Sequence, residues 1–571
     1  MDTPAPKVVK PPPPSFVELF TPKLVTILRE GYGSKQFRAD AIAGLTVAVV
    51  ALPLSMAIAI GSGLSPEKGL YTAIVGGFLV SALGGSRFQI GGPAGAFIVL
   101  IATTVERHGY DGLVLATLMA GVMMMGVGFL RLGTYIKYIP FPVTVGFTAG
   151  IAVIIFASQI KELLGLDMAA EPAALVPKIS AIAQAIHTMR PQAVALSLLA
   201  IAIILVLRRI RPNWPGLLIA VGATAAVTFL LNLDVATIGS RFGGLPRTLA
   251  EPSLPAFDLA KMHAVLPDAV AIALLGAIES LLSAVVADGM TGRRHRSNCE
   301  LVAQGAANMA AVAFGGMCVT GTIARTATNV RAGAHGPVAG MLHAVYVLLF
   351  MLLAAPLAVH IPLAGLGAVL AVVAWNMAEK EEFWSLLKAS WGDAVVLMAT
   401  FLLTIFHDLT TAIGVGVTLG AFLFLHRMAE AVEVEIGQGV IREDVGDMSG
   451  VRAAYDPHAV RGEVLVYRIS GAFFFGATAA VSGVLDRMGA HPKTFVLDFS
   501  DVPLVDSTAA KALEGFVRKL ERSGTRVYFA GASKRVRRTL LVAGLRKPLV
   551  HYVATAEEAI AHAAARLGGG R

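Results

Sequence analysis

An arginine and a glutamate are the residues of this chain with the chemistry to define a site. Arg325 lies in Gly315–Arg331, GGMCVTGTIARTATNVR, a short polar run between the apolar blocks Leu301–Phe314 and Pro337–Pro356. From Gly321 to the next helix-breaking point at Gly333 there is room for about twelve helical residues, or ~18 Å against the ~30 Å hydrocarbon core of a bilayer. A helix that short cannot span, so the run predicts a half-helix whose first residues, Gly321, Thr322, Ile323 and Ala324, border a cavity. Its unpaired amides and the positive end of its dipole favour an anion, and Arg325, one turn in, adds a full positive charge. An arginine at membrane depth costs about 2.5–3.5 kcal/mol on the insertion scale and by default marks a site. The plainer readings of the same residue are a snorkelling helix end or half of a structural ion pair.

Glu279 is the second expensive residue. It sits in Leu275–Ser283, LGAIESLLS, with the Ser283 hydroxyl at i+4 on the same helix face. A carboxylate there either pairs with Arg325 for structure or serves coupling, by holding a proton or by holding a sodium ion together with Ser283. Upstream, Gly91-Gly92-Pro93 opens another undersized helix, in which Gly92, Pro93, Ala94, Gly95 and Ala96 let backbone and ligand approach closely and Pro93 suits a first helical turn. Gly84-Gly85 and a strand-like Arg87–Ile90 precede it, as Gly315-Gly316 and Met317–Thr320 precede Gly321. The same arrangement about seven spans apart has opposite orientation in the membrane, which makes an inverted repeat with two half-helix N-termini meeting near the midplane. Facing them, Ala51-Leu52-Pro53-Leu54-Ser55 places a proline and the Ser55 hydroxyl mid-span, as a helix kink or as a ligand contact.

The elements that must carry these residues are membrane spans. Of 571 residues, 56% are hydrophobic and 15% charged, and mean hydropathy is +0.70. That composition belongs to a polytopic membrane protein. About fourteen apolar segments can be read between Asp40 and Leu425, some too short or too polar for ordinary spans. Basic residues collect in every second connection, at Arg87, Arg131 with Lys137, Arg208-Arg209 with Arg211, Arg293–Arg296, Arg331, and Lys380 with Lys388, which sets both termini in the cytoplasm. The net charge of +9 is therefore a topology signal and gives no reason to invoke nucleic acid. The connections Lys161–Met189 and Asn232–His263 fall outside and read as surface loops with little chemistry. The start, MDTPAPKVVKPPPPS, has no signal-peptide core and reads as a cytoplasmic tail, followed by an amphipathic surface helix over Phe16–Tyr32. Cys299 and Cys318 lack metal-ligand spacing and read as packed thiols. No catalytic nucleophile, metal cluster or phosphate loop suggests an enzyme or a cofactor.

These motifs resemble a known family. Gly44–Phe97, GLTVAVVALPLSMAIAIGSGLSPEKGLYTAIVGGFLVSALGGSRFQIGGPAGAF, looks like the start of a sulfate permease (SulP) transporter, a bacterial relative of the solute-carrier-26 anion transporters, and GAIESLLSAVVAD and GTIARTATNVRAG resemble the family's eighth and tenth segments. The resemblance implies an α-helical polytopic fold of fourteen transmembrane segments as a seven-plus-seven inverted repeat, uracil-permease-like, with core and gate bundles and an elevator movement. It places substrate between Gly92–Ala96 and Gly321–Arg325 and the coupling function at Glu279. It further implies a homodimer in the bacterial inner membrane, in contact with membrane lipid.

After Leu425 the composition becomes that of a soluble α/β domain, with strands at Glu463–Ser470, Thr494–Phe499 and Arg526–Ala530 and helices at Ala477–Met488, Ser507–Arg522, Lys534–Ala543 and Ala556–Leu567. Val496–Leu513, VLDFSDVPLVDSTAAKAL, resembles the central motif of STAS domains. There Ser507 or Thr508 matches a regulatory phosphorylation position, while Asp506-Ser507 reads equally as a helix cap. The expected boundaries are a cytoplasmic N-terminal segment 1–39, a transport domain 40–428, and a linker with STAS domain 429–571. The function expected is secondary transport of sulfate or bicarbonate, coupled to protons or sodium. The alternatives are a dicarboxylate symporter for succinate- or fumarate-like substrates, an anion exchanger, and, more remotely, a signalling scaffold acting through the STAS domain.

Overall fold

The computed structural model describes residues 15–134, 140–168, 172, 174–211, 214–253, 255, 257–407, 409–430, 433–436, 464–474 and 492–568. The N-terminal tail and the helix expected over Ala477–Met488 lie outside the described residues. The chain divides into two compact units, Met1–Thr418 and Leu419–Arg571.

In the first unit the apolar segments become helices at or near the expected positions. Eight helices among the described residues are long and apolar enough to cross a membrane, beginning with Ser34–Gly61 and ending with Thr411–Met428. The segments expected over Pro93–Val105 and Leu113–Leu130 form a helix over Ile98–Phe129 whose regular geometry is interrupted at Gly109 (φ 69°, ψ −178°). That backbone is nearly closed to residues with a Cβ. The half-helix carrying Arg325 is shorter than expected, only Ile323–Arg331, nine residues. The surface helix expected over Phe16–Tyr32 is two helices, Phe16–Phe20 and Lys23–Glu30, because Pro22 cannot continue the first.

Packing sorts the helices into two sets. Ile98–Phe129 packs against Ser297–Ala313 and Leu259–Thr291, and Ser34–Gly61 against Val338–Ala358; Phe141–Leu164 instead packs against Leu363–Met377 and Trp391–Phe406. Charged residues at two of the connections tie the first set to the N-terminal helices. Arg87 is ion-paired with Glu30, and Arg296 donates to the Thr21 carbonyl at 2.8 Å and to Thr26 Oγ1 at 3.0 Å. In these two cases the basic residues expected to set topology have a structural role.

The second unit holds a five-stranded sheet. Strands β3 (Glu433–Ile436) and β4 (Val464–Ser470) pair antiparallel, and β4, β5 (Thr494–Asp501), β6 (Arg526–Ala530) and β7 (His551–Val553) run parallel in that order. Its helices Ser507–Arg522, Lys534–Val542 and Ala556–Gly568 follow the expected ones closely. Phe495, Leu497, Phe499 and Phe529 form a core with Ala509, Leu513 and Val517. The strands β3 and β7 are too short to announce themselves by alternation.

Candidate functional site at the paired half-helices

Two short strands bring the halves of the repeat together. Strand β1, Gly91–Gly92, and β2, Thr320–Gly321, pair antiparallel with Gly91 opposite Gly321 and Gly92 opposite Thr320. The strand-like segments expected at Arg87–Ile90 and Met317–Thr320 are thus displaced, the first beyond its expected end and the second to that end. Pro93 is likewise not in a first helical turn; Gly95–Phe97 forms a 3-10 turn before the helix starts at Ile98. The reason lies in the neighbouring half-helix. It presents Thr322, Thr326 and Asn329 on one face, and these bind the extended run before Pro93 as far as Ile90: Thr322 N–H to the Ile90 carbonyl (3.0 Å), Ile90 N–H to Thr326 Oγ1 (3.1 Å), and Asn329 Nδ2 to the Phe88 carbonyl (2.9 Å). Ladder and side chains satisfy buried backbone groups that helix would otherwise have to satisfy.

Arg325 is 1% exposed. Its Nη2 donates to Ser55 Oγ and to the Pro93 carbonyl, each at 3.2 Å, while Nε and Nη1 have no partner among the described residues. Among the described residues no carboxylate pairs with it, and neither the snorkelling reading nor the ion-pair reading with Glu279 describes it. A Cβ on Gly92 would lie 2.0 Å from Nη1, so the guanidinium rests directly on that backbone. A Cβ on Gly321 would lie 1.6 Å from Gln89 Nε2. Both glycines are required for close approach.

The helix starts bordering this cluster are uncapped. Neither Ala94 nor Thr322 gives a side-chain cap to the turn that follows it. Ala94, Ala96 and Thr322 are 7%, 2% and 8% exposed. Two helix starts without side-chain caps and a buried arginine with no carboxylate partner among the described residues make a positive cluster, for which an anion is the natural complement.

Glu279 and Ser283 are both buried on the Leu259–Thr291 helix. The Ser283 hydroxyl donates to Thr326 Oγ1 at 3.0 Å, the same oxygen that accepts from Ile90. The Glu279 carboxylate takes no hydrogen bond or ion pair among the described residues. Thr326 was not among the residues singled out from sequence, although its spacing from Thr322 and Asn329 is a legible helical face. The Lys161–Met189 connection also carries more chemistry than expected. It contains the helix Leu175–Ala185, and its Lys178 is buried with its ammonium on the Ser158 hydroxyl. In the second unit, Asp506 accepts from Ala509 N–H at 2.8 Å, which is the helix cap; Ser507 and Thr508 beside it are exposed.

Comparison with known proteins agrees with this architecture. The Sulfate permease family model matches residues 37–400 and the STAS domain model residues 458–559. The chain is 40% identical over 518 residues to "Putative sulfate transporter YvdB" of Bacillus subtilis (strain 168), covering 90% of this chain and 95% of that protein. It is 31% identical over 520 residues to "Bicarbonate transporter BicA" of Synechocystis sp. (strain ATCC 27184 / PCC 6803 / Kazusa), covering 89% and 90%. Among solved structures, the transmembrane domain of a cyanobacterial BicA superposes with TM-score 0.62 at 29% identity, covering 67% of this chain and 99% of that one. SLC26A9 superposes with TM-score 0.80 over 95% and 92% of the two chains, and at 18% identity it speaks for the fold alone. A helical membrane unit built around paired half-helices, a C-terminal STAS domain and these matches together make the chain a member of the sulfate permease family of anion transporters.

Proposed function

We propose that the protein is a secondary active transporter of a small inorganic oxyanion, sulfate or bicarbonate, which binds between Gly92–Ala96 and Gly321–Arg325 and moves together with a proton or sodium ion held at Glu279. The observation that carries this reading is the Arg325 guanidinium, buried with no carboxylate partner among the described residues and held by Ser55 and the Pro93 carbonyl beside two helix starts that lack side-chain caps. A buried cation left uncompensated is costly, and an incoming anion offsets that cost. Arg325 supplies charge, while the amides following Ala94 and Thr322 supply directional donors at the site itself.

Coupling follows from charge. An ionised Glu279 opposes the anion electrostatically, and a proton or a sodium ion on it removes that opposition. By reciprocity, the bound anion strengthens cation binding to the same degree. Ser283 supports Glu279 by joining its helix to Thr326 and so to the β1–β2 bridge, which makes one body of both sites. This body, moving against the helix set around Phe141–Leu164, is the elevator element of the proposal, with the STAS domain as a regulatory or stabilising addition. The protein is further proposed to work as a homodimer among the lipids of the bacterial inner membrane, with both termini in the cytoplasm.

Purified protein in proteoliposomes, given labelled sulfate, bicarbonate or succinate under an imposed proton or sodium gradient, tests the proposal. Gradient-driven accumulation of sulfate or bicarbonate supports it. Accumulation of succinate alone, or of none of the three, overturns it.

A further inference from the structure

The second unit carries a surface that the transport reading leaves unused. Its short helix Lys534–Val542 is anchored through Val536 and Leu540, which are buried in the core of the domain. Lys534, Arg537, Arg538, Leu541 and Val542 recur at helical spacing on the other side, and all five are exposed, Val542 at 83%. They line an open hollow of about 350 Å³. The stripe is therefore cationic along its first two turns and apolar at its end. Arg535, and Arg546 with Lys547 just after the helix, are also exposed, and from Ser533 to Pro548 the sequence contains six Lys or Arg residues and no Asp or Glu.

A row of charges can be no more than a solvated face; two observations argue against that here. On the helix Ser507–Arg522, which packs against this one, Glu514 takes both Lys511 and Arg518, so charge is balanced within the element. Lys534–Val542 holds no carboxylate, and its like charges at Lys534 and Arg538 stand one turn apart. Second, Leu541 and Val542 add an apolar step continuous with the cationic stripe, a combination that suits a headgroup layer with acyl chains beneath it.

We infer that this stripe docks on the surface of an anionic phospholipid bilayer, with lipid phosphates on Lys534, Arg537 and Arg538 and with Leu541 and Val542 entering the headgroup layer. Charge complementarity selects an anionic surface, and the chain itself supplies the membrane. Two residues separate the helix Leu409–Glu430, which contains a membrane-spanning stretch, from strand β3 at Glu433, so the domain is held on a short tether from the lipid. A soluble acidic partner has no such local concentration. Docking gives the STAS domain a second attachment besides its chain, one that responds to lipid charge and weakens as salt screens it. The inference does not depend on which anion is carried.

Hydrogen exchange of Lys534–Val542 in the full-length protein, embedded in nanodiscs of phosphatidylcholine alone or of phosphatidylcholine with phosphatidylglycerol, tests this. Exchange there is expected to slow about tenfold in the anionic discs, as for a surface bound about nine-tenths of the time, while that of Thr494–Asp501 is unchanged. The difference disappears in roughly 0.5 M salt and in the double variant Lys534→Gln/Arg538→Gln, and Val542→Ser reduces it. Arg537 is left in place because its guanidinium stacks on the Tyr552 ring, 4.8 Å from the centroid. Should the double variant fold poorly, exchange of Thr494–Asp501 accelerates as well, and the salt series on the native protein carries the test. Equal exchange in the two bilayers overturns the inference, as does slowing that persists in a well-folded double variant. Slowing produced in neutral discs by added poly-glutamate, but not by anionic lipid, assigns the stripe to a protein partner and overturns it too.

Discussion

Gly92 and Arg325 are in contact through the absence of a side chain: the space a Cβ would fill at Gly92 is 2.0 Å from Arg325 Nη1. A backbone of one repeat half thereby seats the charge of the other. Gly92→Ala must displace the guanidinium from Ser55 and the Pro93 carbonyl. Hydrogen bonds to charged groups contribute about 1.5–3 kcal/mol, so sulfate or bicarbonate binding should weaken by roughly 10- to 100-fold, with the helical content of the purified protein retained. Calorimetric titration of the variant in detergent is the check, and native affinity would place the anion elsewhere.

The helix starts themselves are probed by size. Ala94 and Thr322 are nearly buried. Replacing either with leucine should abolish measurable anion binding while the melting profile of the detergent-solubilised protein stays cooperative. Binding at native affinity in both variants would contradict the proposed site.

Glu279→Gln keeps the shape of the carboxyl group and removes its charge. Anion binding should persist, exchange of labelled for unlabelled anion should survive, and accumulation against a gradient should disappear. Poor insertion or folding would instead point to a structural carboxylate. Accumulation that still follows the proton or sodium gradient at the native level would end the coupling role.

Ser283 separates cation binding from support of the bridge. Ser283→Ala removes one buried hydrogen bond to Thr326, a loss of about 1 kcal/mol visible as a small drop in melting temperature. If Ser283 also contributes an oxygen to sodium, the half-saturating sodium concentration rises in addition. A stability loss with unchanged cation dependence confines the residue to structure.

A pH effect on the STAS domain follows from Asp498. Burial pushes its carboxyl upward, but the Ser500 hydroxyl and N–H and the Arg468 guanidinium, at 2.6, 3.0 and 3.0 Å, together outweigh burial and hold it below the usual carboxylate range. The unfolded chain titrates near the ordinary value of about 3.9. The stabilisation is therefore complete above that value and is lost as pH falls through the lower folded value. Hydrogen exchange of Thr494–Asp501 in the full-length protein should accelerate below about pH 4, and Asp498→Asn should be destabilised at neutral pH and show less of that acid dependence.

The positions of the spans were legible because apolar length and helix-breaking glycines are local properties. Arg325, Gly92 and Ser55 could be singled out for the same reason: each is a residue type that hydrocarbon or close packing tolerates only for cause. What the sequence concealed was long-range. Whether Arg325 faces Glu279 or the Pro93 carbonyl depends on a fold contact between segments more than two hundred positions apart, and local pattern carries no trace of it. The two-residue strands were misplaced because their hydrogen bonds, not their alternation, define them. Lys178 was hidden differently. A lysine in a moderately polar connection looks solvated, and only the packing of Leu175–Ala185 on the Phe141–Leu164 helix buries it.

The pairing of Gly91 with Gly321 also has a consequence for biogenesis. During synthesis the first half-helix enters the membrane while its partner strand does not yet exist, and its exposed backbone amides and carbonyls have nowhere in lipid to bond. The bridge is a contact of very high sequence separation, so its loop must close late. The bridge therefore forms only once both halves of the membrane unit have been made. A chain truncated before Gly321 keeps the Gly91–Gly92 strand but not its partner, and so leaves that backbone unpaired.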